Sequence, residues 1–530
     1  MEVSIHNEIA SVQFERFDLT AYELFLRCKT LPESQVEFDE ERSTYRITTP
    51  ARFARLLGIT DAPERNSNLA LADHLFDYQR FIVETSLHAK RYAVFADCGL
   101  GKTAIFLEYA RHVMARTGGR VLILSPLAVI PQTCEEAVHF YSDTLTVEKI
   151  KTRAELIAWV RGEGTALGIV NYEKLSDGII PEFRYLAGLV ADESSILKSG
   201  GGVIKWNLIK SARGVEYKLS CTATPAPNDI MEYASQASFL EKLRTEGEIL
   251  WTFFTRDKRG NWKVKPHARA GFYRFMASWS IYLRNPARYG WADNLKDIPA
   301  PIYFEHKLEP VSEQLELAHA VARKGSVDLF GAKRMGVTER TKFSQIAKGF
   351  LYDTATGKRV ARVVPSAKPE FVARLIRDEV AAGHQVLIWT LFDEETAILA
   401  QLLRPSAVLY DVLTGSTKPE ERELILEDFR HGRTQALISK ASMLGFGMNF
   451  QFCTSMIFSG LNDSYEQLYQ AIRRAVRYGQ TKSVRVHVPF IPQLEGLILE
   501  NVLRKKENFE QDAETQERYY CEALKGLTSA

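Results

Sequence analysis

At 530 residues the chain is too long for one core, and its length gives roughly three or four domains. Lys and Arg total 68 against 66 Asp and Glu, a net charge of +2, so the total announces no polyanionic partner and a basic surface would have to arise by local clustering. A composition of 45% hydrophobic and 25% charged residues, six scattered cysteines with no C-x-x-C pair, and no apolar run near the ~20 residues of a membrane span exclude a disulfide scaffold, a cysteine-rich zinc module and a membrane helix.

The N-terminus carries acidic residues early and no apolar signal core. It opens a small module over 1–70. Within it 3–9 and 11–17 read as strands, 21–29 as a short helix, 36–38 with 44–47 as a hairpin and 50–57 as a second helix; the polar run 61–68 is a linker. Over 71–235, short apolar runs at 92–95, 121–124, 168–170, 188–190 and 217–219 alternate with helical stretches. That is the pattern of a parallel sheet covered on both faces. It returns over 366–495, at 385–389, 436–438, 455–458 and 484–488. Between the two, 236–365 is expected to be a mostly helical insertion and linker. Residues 496–530 read as a charged helical tail with a frayed end. The predicted fold class is α/β: two parallel-sheet lobes, a helical insertion and a small α+β N-terminal module.

Ala96-Asp97-Cys98-Gly99-Leu100-Gly101-Lys102-Thr103 fits A-x-x-x-x-G-K-T between a strand and a helix, the context in which a glycine loop cradles phosphates. Gly99 and Gly101 let backbone N–H groups converge on phosphate oxygens, and Lys102 would reach the β- and γ-phosphates. Thr103 would ligate Mg²⁺ at the helix N-terminus. The strand at 188–190 ends in Asp192-Glu193, beside that loop if both lie at the C-terminal edge of one sheet. Asp192 suits a Mg²⁺ held through water, and Glu193 suits polarising an attacking water. The segment 220–228 reads equally as a Pro-stopped turn or as a hydroxyl relay to the acidic strand. Gly447, in the glycine-punctuated loop 439–450, allows close approach of a nucleic-acid phosphate or a ribose; the alternative is a plain surface loop. Arg474 and Arg477, three apart on one face of a predicted helix, would stabilise charge developing on the γ-phosphate. Over 251–290, aromatic residues are interleaved with basic ones. They suit phosphate tracking and base stacking, or else the aromatics form a core and the charges face water.

With these residues in hand, the chain resembles the superfamily 2 helicases, in particular the Swi/Snf remodeller-like branch of DNA translocases. Asp77-Tyr78-Gln79 resembles the adenine-reading Q element, and residues 96–103 match motif I. Ser125-Pro126-Leu127 with Gln132 looks like motif Ia and Asn171-Tyr172-Glu173 like Ib. Asp192-Glu193 matches motif II, with Ser195 where many relatives have His. Thr222-Ala223-Thr224-Pro225 and Asn228 match motif III, Gly445 to Asn449 resembles motif V, and Q-A-x-x-R-x-x-R-x-G-Q at 470–480 matches motif VI. The resemblance covers about 71–495 and implies two RecA-like lobes, ATP with Mg²⁺, and a site in which Gln79, Gly99, Gly101, Lys102, Thr103 and Gly447 hold the nucleotide. Catalytic roles then fall on Lys102, Asp192, Glu193, Arg474 and Arg477, with Thr103 and Asp192 at the metal. The N-terminal stretch resembles a HARP-type module, which would bind DNA, block the cleft or dock a protein partner.

The function expected from these residues is a DNA-dependent ATPase that moves along duplex DNA with low sequence specificity, in a bacterial cytoplasm at the nucleoid or, for a phage chain, in the host cytoplasm. A strand-separating DNA or RNA helicase and an ATP-gated nucleic-acid-binding subunit are the two alternatives.

Overall fold

The computed structural model describes residues 2–6, 9–14, 35–39, 44–50, 69–198, 202–226, 230–243, 245–256, 262–292, 298–323, 337–353, 360–444, 449–477 and 479–528. An N-terminal antiparallel sheet runs β1 (Glu2–His6), β2 (Ile9–Phe14), β4 (Thr44–Pro50), β3 (Gln35–Asp39), with Val12, Phe14 and Ile47 buried on one face. The strands and the hairpin expected there are present. The two expected helices and the linker 61–68 lie outside the described residues.

The first lobe is a seven-stranded, all-parallel sheet built from β5 (Arg91–Ala96), β6 (Val121–Ser125), β7 (Val147–Lys149), β8 (Leu167–Asn171), β9 (Gly188–Ala191), β10 (Tyr217–Thr222) and β13 (Ser280–Leu283). Its order is β13-β5-β10-β9-β6-β8-β7. The central strands are buried along their whole length, so both faces carry apolar residues and two separate cores form, one on each side. Gly168 in β8 is required by close packing: a Cβ there would lie 2.7 Å from the Trp159 ring.

β5, β10 and β9 are neighbours. Their C-terminal ends therefore place the glycine loop, the 222–226 segment and the acidic pair side by side, the position at which open parallel sheets bind ligands.

The expected boundary at 235 falls inside this lobe. β13, from the supposed helical insertion, pairs with β5 (Ile281 opposite Val94), and the helices Tyr233–Phe239 and Arg269–Ala277 bury their apolar faces in the same core. In sequence Ser280–Leu283 is a run of only four residues among aromatic and basic neighbours, which hides the strand. Further strands lie in the same stretch: β11 (Phe254–Arg256) and β12 (Trp262–Val264) form an antiparallel pair, as do β15 (Phe350–Asp353) and β16 (Val360–Val363).

The second lobe is also all-parallel, in the order β14-β21-β20-β17-β19-β18. β17 (Val386–Thr390), β18 (Tyr410–Leu413), β19 (Ala436–Lys440), β20 (Ser455–Phe458) and β21 (Arg485–Phe490) come from the expected region, and the edge strand β14 (Ile302–Lys307) from the presumed insertion.

The tail is helical as expected, but it is packed against the body of the protein. It is one helix, Pro492–Thr528, that starts on the second lobe and ends packed on the first. At its start Glu495 is buried between two lysines, Lys348 Nζ at 2.6 Å and Lys368 Nζ at 2.7 Å. Burial pushes the Lys368 ammonium down to about 8 even though Glu495 opposes the shift. Glu495→Ala would leave two buried ammonium groups without their shared carboxylate, so a loss of roughly 3 kcal/mol is expected in urea unfolding, the scale for breaking a buried pair.

Candidate active site

The loop after β5 is shaped by two left-handed glycines, Gly99 at φ +87° and Gly101 at φ +70°, with Leu100 fully buried between them. It opens the helix Lys102–Thr117. Lys102 Nζ donates to the Ala96 carbonyl (3.0 Å) and to the Asp97 carbonyl (3.4 Å) and so stays folded over the loop. Gln79 lies directly against the loop. Its Nε2 donates to the Leu100 carbonyl at 3.1 Å, and its Oε1 accepts from the Phe76 N–H at 3.0 Å. A Cβ at Gly101 would stand 2.3 Å from Gln79 Nε2 and displace that amide, and the φ of +70° itself favours glycine there. The expected adenine reader thus also braces the phosphate loop.

Asp192 and Glu193 emerge from β9 next to that loop. Asp192 is buried, and its Oδ2 accepts from Ser125 Oγ at 2.9 Å. Tyr172 donates its hydroxyl to the Asp192 carbonyl at 2.6 Å and fixes the turn. Burial, and then the neighbouring Glu193 carboxylate, push the Asp192 carboxyl well above the usual carboxylate range, while Ser125 opposes this. A cation beside it would remove that penalty, so the donor set fits a divalent ion held by Asp192 and Thr103. Glu193 adopts φ +46°, a conformation that non-glycine residues rarely take and that clusters at functional turns. Its Oε1 lies 3.6 Å from Arg474 Nη2, and its Oε2 is buried with no hydrogen-bond partner among the described residues.

Arg474 and Arg477 come from the other lobe. They were expected on one helical face, but the helix Tyr465–Arg473 ends just before them and they occupy the turn that follows. A spacing of three brings side chains together in such a turn as it does in a helix, and both still line the same cavity. That cavity, of about 470 Å³, lies between the lobes and is lined by Gln79, Gly99, Gly101, Lys102, Thr103, Asp192, Glu193, Arg474 and Arg477. Of the expected site residues only Gly447 is not placed, because 445–448 lie outside the described residues. Asn449 and Gln451, just beyond them, reach the cavity.

Several contacts across the cleft are not legible in the sequence. Asp97 of the phosphate loop accepts hydrogen bonds from Tyr469 and Arg473 of the second lobe. Thr224 Oγ1 donates to Glu466 Oε1 (3.0 Å) and accepts from Gln470 Nε2 (3.3 Å), again across the cleft. The acidic strand end is linked to the same segment by Ser220 Oγ, which donates to Ser194 Oγ at 2.8 Å, and by Gln236. The 220–226 segment therefore joins the acidic pair on one side to the second lobe on the other. Asn228 lies outside the described residues.

The expected nucleic-acid face is divided. Phe254, Phe272, Tyr273, Trp279 and Tyr282 are buried in the first lobe's core, and Arg288 pairs with Glu517. Trp251, at 76% exposure, stands edge-on to Trp262, over whose ring Arg256 stacks at 4.8 Å. Among the described residues no helix is long and apolar enough to cross a membrane.

Two family models match, a DEAD/DEAH box helicase over residues 76–233 and a helicase conserved C-terminal domain over 367–479. The chain is 30% identical over 440 residues to a probable ATP-dependent DNA helicase CHR23 of Arabidopsis thaliana, covering 77% of this chain and 40% of that protein. It is 24% identical over 436 residues to a putative protein p41 of Acyrthosiphon pisum secondary endosymbiont phage 1, covering 77% of this chain and 91% of that protein. It is 23% identical to the mouse chromodomain-helicase-DNA-binding protein 1-like, of which it spans 44%. The chain thus spans less than half the length of the plant and mouse relatives. A solved Sulfolobus solfataricus SWI2/SNF2 ATPase core in complex with dsDNA aligns at TM-score 0.39 with 19% identity, over 85% of this chain and 96% of that one.

Proposed function

We propose that the chain is a superfamily 2 helicase of the Swi/Snf-like branch, a DNA-dependent ATPase that couples ATP hydrolysis to movement along duplex DNA; the two matched helicase models and the plant relative support this reading. The observation that carries this reading is the interlobe cavity in which Lys102, Thr103 and the acidic pair from one lobe face Arg474 and Arg477 from the other. Gln79 sits where it would contact the base. The N–H groups of the glycine loop and Lys102 would bind the phosphates, and Thr103 with Asp192 would hold Mg²⁺, whose charge would offset that developing on the phosphates. Glu193, whose Oε2 has no hydrogen-bond partner among the described residues, would accept the proton of the attacking water. Arg474 and Arg477 would neutralise charge on the transferred phosphoryl oxygens. Arg474 already rests 3.6 Å from Glu193, so binding of the triphosphate would pull it from the base to the phosphate. The Thr224–Glu466–Gln470 contact would transmit that movement to the second lobe.

DNA would be gripped through its phosphates, which carry no base information, so low sequence preference is expected. Exposed Trp251, Arg256 and Lys263 supply a basic aromatic patch on the first lobe. The N-terminal sheet would serve as an accessory module for DNA or a protein partner. The test is phosphate release with and without duplex DNA, run beside triplex displacement and duplex unwinding. DNA-stimulated release with triplex displacement and no unwinding is the expected result. Unwinding would favour strand separation, and release at background level in both conditions would leave an ATP-gated binding subunit.

A further inference from the structure

Within the phosphate loop, one side chain is held by the opposite lobe. Asp97 is only 6% exposed. Its Oδ1 accepts from its neighbour's Cys98 N–H at 2.6 Å and from the Tyr469 hydroxyl, and its Oδ2 accepts from Arg473 Nη2. The partners lie more than 370 positions away in sequence. Burial works against a charged carboxylate here, but the Arg473 guanidinium and the Tyr469 hydroxyl hold it below its ordinary range. Tyr469 is backed in turn by Tyr465 at 5.6 Å and by Phe509 of the C-terminal helix at 5.9 Å. A charge-assisted bond with a second donor and a packed ring behind it is a directed contact, unlike a solvent-exposed ion pair.

Two consequences follow from where these residues sit. Asp97 immediately precedes Cys98 and Gly99, so whatever holds its carboxylate constrains the backbone that meets the phosphates. Arg473 ends its helix and is followed directly by Arg474, so whatever holds Arg473 also sets the direction in which Arg474 enters the cavity. The groups expected to bind ATP in the first instance, Gln79, Lys102 and Thr103, all belong to the first lobe and need neither Arg473 nor Tyr469.

We propose that Asp97 and Arg473, backed by Tyr469, form a closure clasp: a positioning pair that docks the second lobe onto the phosphate loop and thereby aims Arg474 and Arg477 at the substrate. The clasp rests on the ATPase reading for its effect on turnover, but its effect on lobe docking does not. It acts on the step that needs both lobes and not on the initial capture of nucleotide.

The experiment compares the wild-type chain with Arg473→Gln, Arg473→Lys and Asp97→Asn. It measures DNA-stimulated phosphate release, binding of a fluorescent ATP analogue, and the radius of gyration by small-angle X-ray scattering without nucleotide. Arg473→Gln should lower kcat by about 10²-fold, the scale for misplacing catalytic groups by about an ångström, with KM and analogue affinity within about threefold of wild type. Arg473→Lys, which keeps the charge, should recover part of the loss, and both uncharged variants should have a larger radius of gyration. An unchanged kcat, or a rise in KM alone, would overturn the clasp, and so would an unchanged radius of gyration. If the wild type itself showed no turnover, the ATPase reading would fall while the scattering comparison still decided whether the pair docks the lobes. Should Asp97→Asn distort the loop and abolish nucleotide binding, Arg473→Gln, which lies in the other lobe, carries the comparison alone.

Discussion

Glu193→Gln is expected to lower ATP turnover by about 10²–10⁴-fold, the usual contribution of a positioned general base, while the protein keeps its fold and its nucleotide. The carboxamide has the shape of the carboxylate and tolerates the same φ of +46°, so the turn after β9 is undisturbed. What disappears is the capacity of the partnerless Oε2 to take a proton. The lost attraction to Arg474, at 3.6 Å, is a loose contact whose removal costs little, and it frees that arginine for the phosphate. Nucleotide affinity should therefore be unchanged or tighter. Lys102→Ala supplies the contrast: its ammonium serves binding as well as chemistry, so affinity and turnover should fall together. Single-turnover phosphate release in the presence of duplex DNA, beside equilibrium binding of a fluorescent ATP analogue, separates the two. Turnover of Glu193→Gln within fivefold of wild type would remove Glu193 from the role of base.

Much of this site is legible in the sequence because its parts are local. A strand, a glycine loop and Lys-Thr at a helix start occupy a dozen consecutive residues, and the acidic pair follows its own apolar strand. Once the apolar runs are read as parallel strands, the loop after β5 and the turn after β9 have to meet at one sheet edge. What escapes is whatever depends on lobe docking. Asp97 with Arg473, and Thr224 with Glu466 and Gln470, are set by how two lobes meet, and no local period marks residues more than 240 positions apart. Edge strands escape for a different reason. β13 is only four residues long and stands among aromatic and basic residues, and β14 buries none of its residues fully, so neither stands out as a central strand does. The aromatics of 251–290 have the same composition whether they stack on bases or on each other. Their fate was decided by packing: Phe272 and Trp279 fill the core, and Trp251 does not.

Removal of residues 511–530 is expected to destabilise the first lobe severely, although in sequence the segment is part of a charged helical tail. Its polar residues are turned inward. Asp512 accepts the hydroxyls of Tyr233 and Tyr273. Glu517 accepts the Arg284 N–H at 3.0 Å and pairs with Arg288 at 2.7 Å, and Tyr520 meets the Tyr92 hydroxyl at 3.0 Å. Ala513 is fully buried in the first lobe's core. Truncation would let water reach the freed hydroxyls, so the loss comes from the hydrogen bonds to charged groups, roughly 1.5–3 kcal/mol each, and from the apolar surface laid bare. Two or three such bonds already approach the roughly 5–15 kcal/mol that holds an ordinary domain folded. At about 2–4 °C per kcal/mol for a lobe of this size, the first lobe should melt at least about 10 °C lower. Among the described residues the helix packs on elements of both lobes, so its loss should split a single calorimetric transition into two. Glu517→Ala gives the graded version, since it leaves the helix in place and removes only the carboxylate that receives Arg284 and Arg288. A truncated chain that melts together with the full-length protein in one transition would mean that these buried contacts do not hold the lobes together. The wild-type fold, with its cleft, would then have to be maintained by interlobe contacts such as those at Asp97, Thr224 and Glu193.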